Sequence, residues 1–148
     1  MCLVAIGFFS LSCGPRRDPG LEDALIRPVG AIAMSKIVPG KWDRFCVITP
    51  YTPPDHAEQV TGISWRGFKE RGDASNLLVF IREDDVVRSA LVGRRVDFVI
   101  PGSTCFPAED ATFVARPQPD APGFRLLLPA DEYLESGQGD ASPPPNRR

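Results

Sequence analysis

Three features of the chain predict an α+β domain with a mostly antiparallel sheet. Runs rich in β-branched and aromatic residues follow one another through short local turns, which favours hairpins over parallel crossovers. A single amphipathic helical pattern stands among them, directly after a Pro-Pro pair. The 148 residues, 43% hydrophobic and 24% charged, have the composition of one globular domain with tails. The expectation is a sheet of about five strands with one short helix packed on it.

Taken in order, Ile32-Ala33-Met34 and Trp42 to Ile48 read as extended chain, the second ending in Thr49-Pro50-Tyr51-Thr52-Pro53-Pro54. The helix follows. Asp55 is its expected N-cap, and Glu58, three residues on, completes a capping box. Ala57, Val60 and Ile63 or Ser64 recur at helical spacing, and the helix should stop near Gly62 or Trp65. Asn76 to Arg82 is apolar on both faces and reads as a central strand. Glu83-Asp84-Asp85 is its turn, and Val86 to Val92 returns as the hairpin partner. Val96, Phe98 and Ile100 alternate in a further strand before Pro101-Gly102. Thr112 to Ala115 and Phe124 to Leu128 form a last hairpin around a long turn from Pro117 to Gly123. A central strand that is apolar on both sides needs cover on both, from the helix and from loops or the 21–37 segment.

The two ends read differently. Residues 1–12 are uncharged and apolar, and Gly14-Pro15-Arg16-Arg17-Asp18 then switches to polar, helix-breaking chain. That is the pattern of a secretory h-region and its cleavage site. At about 1.5 Å per residue such a run makes a helix of roughly 20 Å, short of a hydrocarbon core of about 30 Å. A membrane-spanning helix is therefore not expected. Residues 13–20 read as a flexible linker and 21–135 as the folded domain. The 136–148 tail, with Pro143-Pro144-Pro145 and almost no apolar residue, reads as disordered because it cannot bury enough surface to offset its ordering entropy.

Ser10-Leu11-Ser12-Cys13 resembles the cleavage box of bacterial lipoproteins, in which a cysteine becomes the acylated N-terminus. Ser12 fits the small residue before that cysteine. Ser10 stands where the family prefers leucine, and no Lys or Arg lies between Met1 and Cys13. The Trp42-Asp43 strand running into a Pro50-Tyr51 turn is likewise similar to small uncharacterised bacterial lipoproteins, over about residues 30–115. The resemblance implies lipid attachment at Cys13 and a place in the cell envelope, facing the periplasm, and it implies no activity. With Cys2 removed and Cys13 acylated on that reading, Cys46 and Cys105 remain, and an even pair in an exported protein suggests a disulfide. It would close a loop of about 60 residues, worth roughly 4 kcal/mol. The competing reading makes residues 1–13 a buried element of a cytosolic domain, with Cys46 and Cys105 as free thiols.

Function classes are weighed largely by subtraction. The net charge of −2 offers no basic field for nucleic acid. Arg88, Arg94 and Arg95 lie close to Glu83-Asp84-Asp85 in sequence and read as a solvated face. His56 is the only histidine, expected to face solvent on the helix, and no nucleophile sits in a recognisable elbow beside it. Zinc wants several His and Cys ligands together, so no metal, cofactor or catalytic residue is assigned. The expected function is non-enzymatic protein–protein contact, as an accessory subunit or inhibitor of another envelope protein. The alternative is a small-ligand or cell-wall-fragment binding module. Trp42, Asp43, Tyr51 and Trp65 are the candidate ligand or partner surface, against a purely structural reading with Trp42 as a packing anchor and Tyr51 tying the turn through its hydroxyl. A ligand module predicts a concave aromatic pocket, and a partner-binding protein predicts a flat apolar patch.

Overall fold

The computed structural model describes residues 14–135. The signal-like segment 1–12, the proposed lipid site Cys13 and the 136–148 tail lie outside the described residues.

The chain folds as two four-stranded sheets facing each other, with a helix and loop layer on the outside of the first. The α+β class and the mostly antiparallel pairing are as the sequence predicts. The count differs: among the described residues, eight strands in two sheets and four short helices stand in place of about five strands and one helix.

Helix α1 (Pro19–Ile26) begins where the sequence suggests a flexible lead. The Asp18 carboxylate accepts a hydrogen bond from the Leu21 N–H at 2.9 Å, and Pro19 pre-sets the first helical φ. Leu21 and Leu25, one turn apart, are buried. The backbone before Pro19 is also held: the Leu91 N–H donates to the Arg16 carbonyl at 2.8 Å, and the Asp18 N–H donates to the Leu91 carbonyl at 3.2 Å. The linker expected over 13–20 is thus docked from Arg16 onward. Asp18-Pro19 has the chemistry of a capping pair, which the surrounding Gly14, Pro15 and Gly20 masked by reading as spacer.

Strand β1 (Gly30–Ala33) leads into α2 (Met34–Ile37), a single turn. Then come β2 (Arg44–Ile48) and α3 (Pro54–Thr61). Pro53 occupies the N-cap of α3 and no side chain caps it. Asp55, expected as the cap, therefore lies inside the first turn, and Glu58 accepts instead from the Ser64 hydroxyl at 2.9 Å. The helix stops at Gly62 as predicted, because Gly62 takes φ 72°, a left-handed conformation that glycine adopts without strain.

The first sheet runs β4-β3-β2-β6, with β3 (Ser75–Arg82), β4 (Asp85–Gly93) and β6 (Thr104–Pro107). Every residue of β3 from Asn76 to Ile81 is buried, as expected of a central strand. The second sheet runs β1-β7-β8-β5, with β5 (Val96–Phe98), β7 (Thr112–Gln118) and β8 (Ala121–Pro129). Only the β5–β8 pairing is parallel among the strand pairings described. The β7–β8 turn is tighter than expected. Pairing continues to Gln118 and Ala121, so the prolines lie within or beside an edge-like ribbon and not in one long loop. Helix α4 (Ala130–Glu135) follows directly.

Between the sheets lies an aromatic core. Phe45 meets Phe80, Phe98, Phe106 and Phe113 at centroid distances of 5.0 to 6.3 Å. Leu78, Val92, Ile32, Ala115 and Leu127 complete it, and α1 closes one side with Leu21 and Leu25. On the opposite face of the first sheet, Cys46, Ile48, Leu77, Val79 and Ile81 pack under Ala57, Ile63 and Phe68. This is the second cover that β3 requires.

Candidate functional site

Cys46 and Cys105 form a disulfide, with their Cα atoms 4.0 Å apart at directly paired positions of β2 and β6. Its sulfur at Cys105 lies 3.5 Å from the Val60 carbonyl of α3. A half-cystine has no proton to donate, so this is packing of the bond under the helix. The sulfur pair sits on the α3 side of the sheet, sealed from the inter-sheet core.

The Trp42-Asp43 block turns out to be structural brickwork. Trp42 is only 9% exposed and donates its Nε1–H to the Val38 carbonyl at 3.0 Å. Its ring meets Phe80 edge-on at 5.2 Å, inside the inter-sheet core. Strict alternation would put it on the face of Cys46 and Ile48. It escapes alternation because β2 begins only at Arg44. Asp43 accepts from the Glu83 N–H at 2.7 Å, while Arg44 donates to the Glu83 carbonyl at 2.9 Å. Glu83 has φ 55°, so these two side chains brace the strained residue of the β3–β4 turn.

Tyr51 is 63% exposed with φ 62°, and its backbone N–H donates to the Arg71 carbonyl at 3.0 Å. Its hydroxyl, expected to tie the turn, makes no hydrogen bond among the described residues. The tie comes instead from hydroxyls that sequence reasoning missed. Thr49, Thr52 and Ser103 join at 2.7 to 3.2 Å, and Ser103 Oγ also accepts from the Thr49 N–H at 2.9 Å. Thr49 and Thr52 were adjacent enough to suggest it, but Ser103 arrives from a distant loop. No general base touches this trio among the described residues, so it reads as a turn lock. His56 is exposed on the first turn of α3.

Trp65 stacks edge-on against Phe68 at 5.2 Å and lies half-buried over the outer face of the first sheet. With Gly14, Arg66, Gly67 and Lys69 it lines an open depression of about 200 Å³. Arg71 donates to the Gly67 carbonyl at 2.7 Å, which links this loop to Tyr51 through the Arg71 backbone. Of the four candidate surface residues, then, Tyr51 and Trp65 share one loop region. Trp42 lies on the other side of the sheet, so the three aromatics do not form one pocket.

A different surface lies on the outside of the second sheet. Phe113, Ala115 and Leu127 face the core, so Val114, Leu126 and Leu128 project from the outside of the second sheet. Register aligns Ala31, Val114 and Leu128 in one row and Arg116, Leu126 and Asp97 in the next. Val99, 43% exposed, and Phe124, 37% exposed, extend the apolar area. None of these belongs to either packed core cluster.

Charge perturbation is confined to local structure. The Leu21 N–H bond, aided by the Arg88 guanidinium 2.9 Å away, holds the Asp18 carboxyl below its ordinary pKa, against an opposing effect of burial. Burial lowers the pKa of Arg71. Arg88 and Arg94 pair with Asp18 and Asp97, not with the 83–85 acidic run beside them in sequence. Among the described residues no group of three or more His, Cys, Asp or Glu could hold a metal ion, and no helix is long and apolar enough to cross a membrane. No protein-family model matches the sequence, and comparison with curated proteins and with solved structures returns no match.

Proposed function

We propose that the protein is a bacterial envelope lipoprotein, anchored through Cys13, whose domain works by protein–protein contact. The observation that carries the contact reading is the half-exposed apolar face of the second sheet around Val114, Leu126 and Leu128. A flat face of this kind suits a protein partner better than a small ligand, which favours an enclosed concavity. The three depressions described around Trp65, Glu22 and Asp110 are open and of about 200, 350 and 280 Å³, at or below the usual size for ligand sites. The Cys46–Cys105 bond supports an oxidising compartment, where such bonds persist.

Two experiments test the two halves. Intact mass from native membrane and soluble fractions should give loss of residues 1–12 with diacylglycerol and acyl additions on Cys13. An unprocessed soluble chain overturns the anchor. For contact, a photo-crosslinking residue at Leu126 should give one discrete adduct in native membranes, while the same group at Asp84, on the distant β3–β4 turn, gives none. Identical adducts from both positions, or none from Leu126, overturn the partner face.

A further inference from the structure

We propose that the Trp65–Lys69 loop is a membrane-contacting surface that binds anionic phospholipid headgroups. This rests on reading Cys13 as the lipidated residue. Gly14 lines the depression formed by Trp65, Arg66, Gly67 and Lys69. One peptide unit, about 3.8 Å between α-carbons, separates Gly14 from Cys13. Each headgroup layer is about 5–8 Å thick, half the difference between a bilayer of about 40–45 Å and its core of about 30 Å. With the thioether link of a diacylglycerol on Cys13 added, Gly14 stays within about 10 Å of the acyl chains, at the outer edge of that layer, and the loop beside Gly14 is set against the headgroups.

The tether cannot lengthen by unfolding cheaply. Two residues beyond Gly14, Arg16 is already held by the Leu91 N–H on β4, so the domain is seated within about 10 Å of the anchor.

The loop's chemistry fits that place. Arg66 and Lys69 are exposed cations, and Arg71 stands behind them on the Gly67 carbonyl. Each cation near an anionic membrane changes local binding by about five-fold. Trp65 presents an amphipathic ring of the type enriched at the headgroup level, and exposed Tyr51 adjoins through Arg71. Glu70 is the exposed acid within the same stretch, and Glu58 is engaged by the Ser64 hydroxyl. Arg66, Lys69 and Arg71 outnumber Glu58 and Glu70, which leaves this surface net positive. Gly67 is required by shape: a Cβ there would collide with the Trp65 ring, so the ring lies folded directly over the backbone between the two cations.

The test uses full-length protein purified from native membranes, its acylation first read by intact mass, then reconstituted in phosphatidylethanolamine–phosphatidylglycerol vesicles carrying a nitroxide headgroup quencher. One of the two tryptophans, Trp65, should be quenched while buried Trp42 is not. Quenching should disappear in Trp65→Phe and weaken in Arg66→Ser/Lys69→Ser, and it should fall when phosphatidylcholine replaces the anionic lipid. Acylated protein whose emission is quenched equally in wild type and Trp65→Phe, or not at all, overturns the loop assignment and leaves the anchor standing. A mass without lipid overturns the anchor and the loop with it.

Discussion

Reduction of the Cys46–Cys105 bond should lower stability by about 2–4 kcal/mol without changing the fold. The two half-cystines are separated by 59 residues, and that span holds α3, β3, β4 and β5. Closing a loop of this length costs the unfolded chain about 4 kcal/mol of conformational entropy at 25 °C, and the covalent bond removes the cost in advance. Residual structure in the reduced, unfolded chain lowers the figure, which sets the lower end. The bond also sits where it is needed. Strand β6 is four residues long, at the edge of its sheet, and its pairing to β2 is the long-range step that completes the first sheet. Equilibrium urea unfolding with and without reductant, with alkylation counting the thiols, measures the effect. The midpoint should fall with two thiols appearing in the reduced sample. A loss below about 1 kcal/mol, with both thiols alkylated, would refute the loop-entropy reasoning, because the constraint would then be absent from the stability difference.

Three further outcomes are expected. Asn76→Leu should destabilise by about 1–3 kcal/mol, because the fully buried Asn76 Nδ2 donates to the Val96 carbonyl at 3.3 Å and leucine leaves that oxygen unpaired; urea unfolding reads it. Asp18→Ala removes the α1 cap and should cost about 1 kcal/mol near neutral pH. Because the folded Asp18 pKa lies below its unfolded value, this contribution is present above the unfolded pKa and is lost as pH falls through the folded one. The wild-type and variant stability curves should therefore converge in strong acid, and parallel curves down to that range would count against the cap. Gly62→Ala forces φ 72° on a residue with a Cβ and should lose about 1 kcal/mol by thermal unfolding.

Local signals carried most of the first sheet. Residues 77–81 are apolar without a break, and an acidic turn follows Arg82, so the β3–β4 hairpin could be placed almost to its ends. The helix after Pro53-Pro54 was legible for the same reason, and Gly62 marked its stop. What local pattern did not carry was the division into two sheets. The chain leaves the first sheet at Arg94-Arg95, enters the second at Val96, and returns at Thr104. Nothing in those short segments names their partners, because β5 finds β8 some thirty residues away. Helix α1 was hidden by the glycines and prolines around Asp18, although the cap itself stood in plain view. The candidate aromatics divided on the same principle. Trp42 lies two residues ahead of its strand, where strict alternation would give it the wrong face, and the Val38 carbonyl and the Phe80 ring fix where it goes.

The two proposed surfaces constrain each other through the layer order. Trp65 and its loop lie outside the first sheet, and Val114, Leu126 and Leu128 lie outside the second, with the aromatic core between. Facing sheets stand about 10 Å apart, and the α3 layer adds a comparable thickness on the side of Gly14. A domain seated on the bilayer through the Trp65 loop would therefore hold the Leu126 face roughly 20 Å away from the headgroups, directed into the compartment. That separation makes the readings mutually testable. A partner captured at Leu126 should remain captured when Arg66→Ser/Lys69→Ser loosens the membrane contact, whereas a partner lost with those cations would mean that both surfaces serve one binding event.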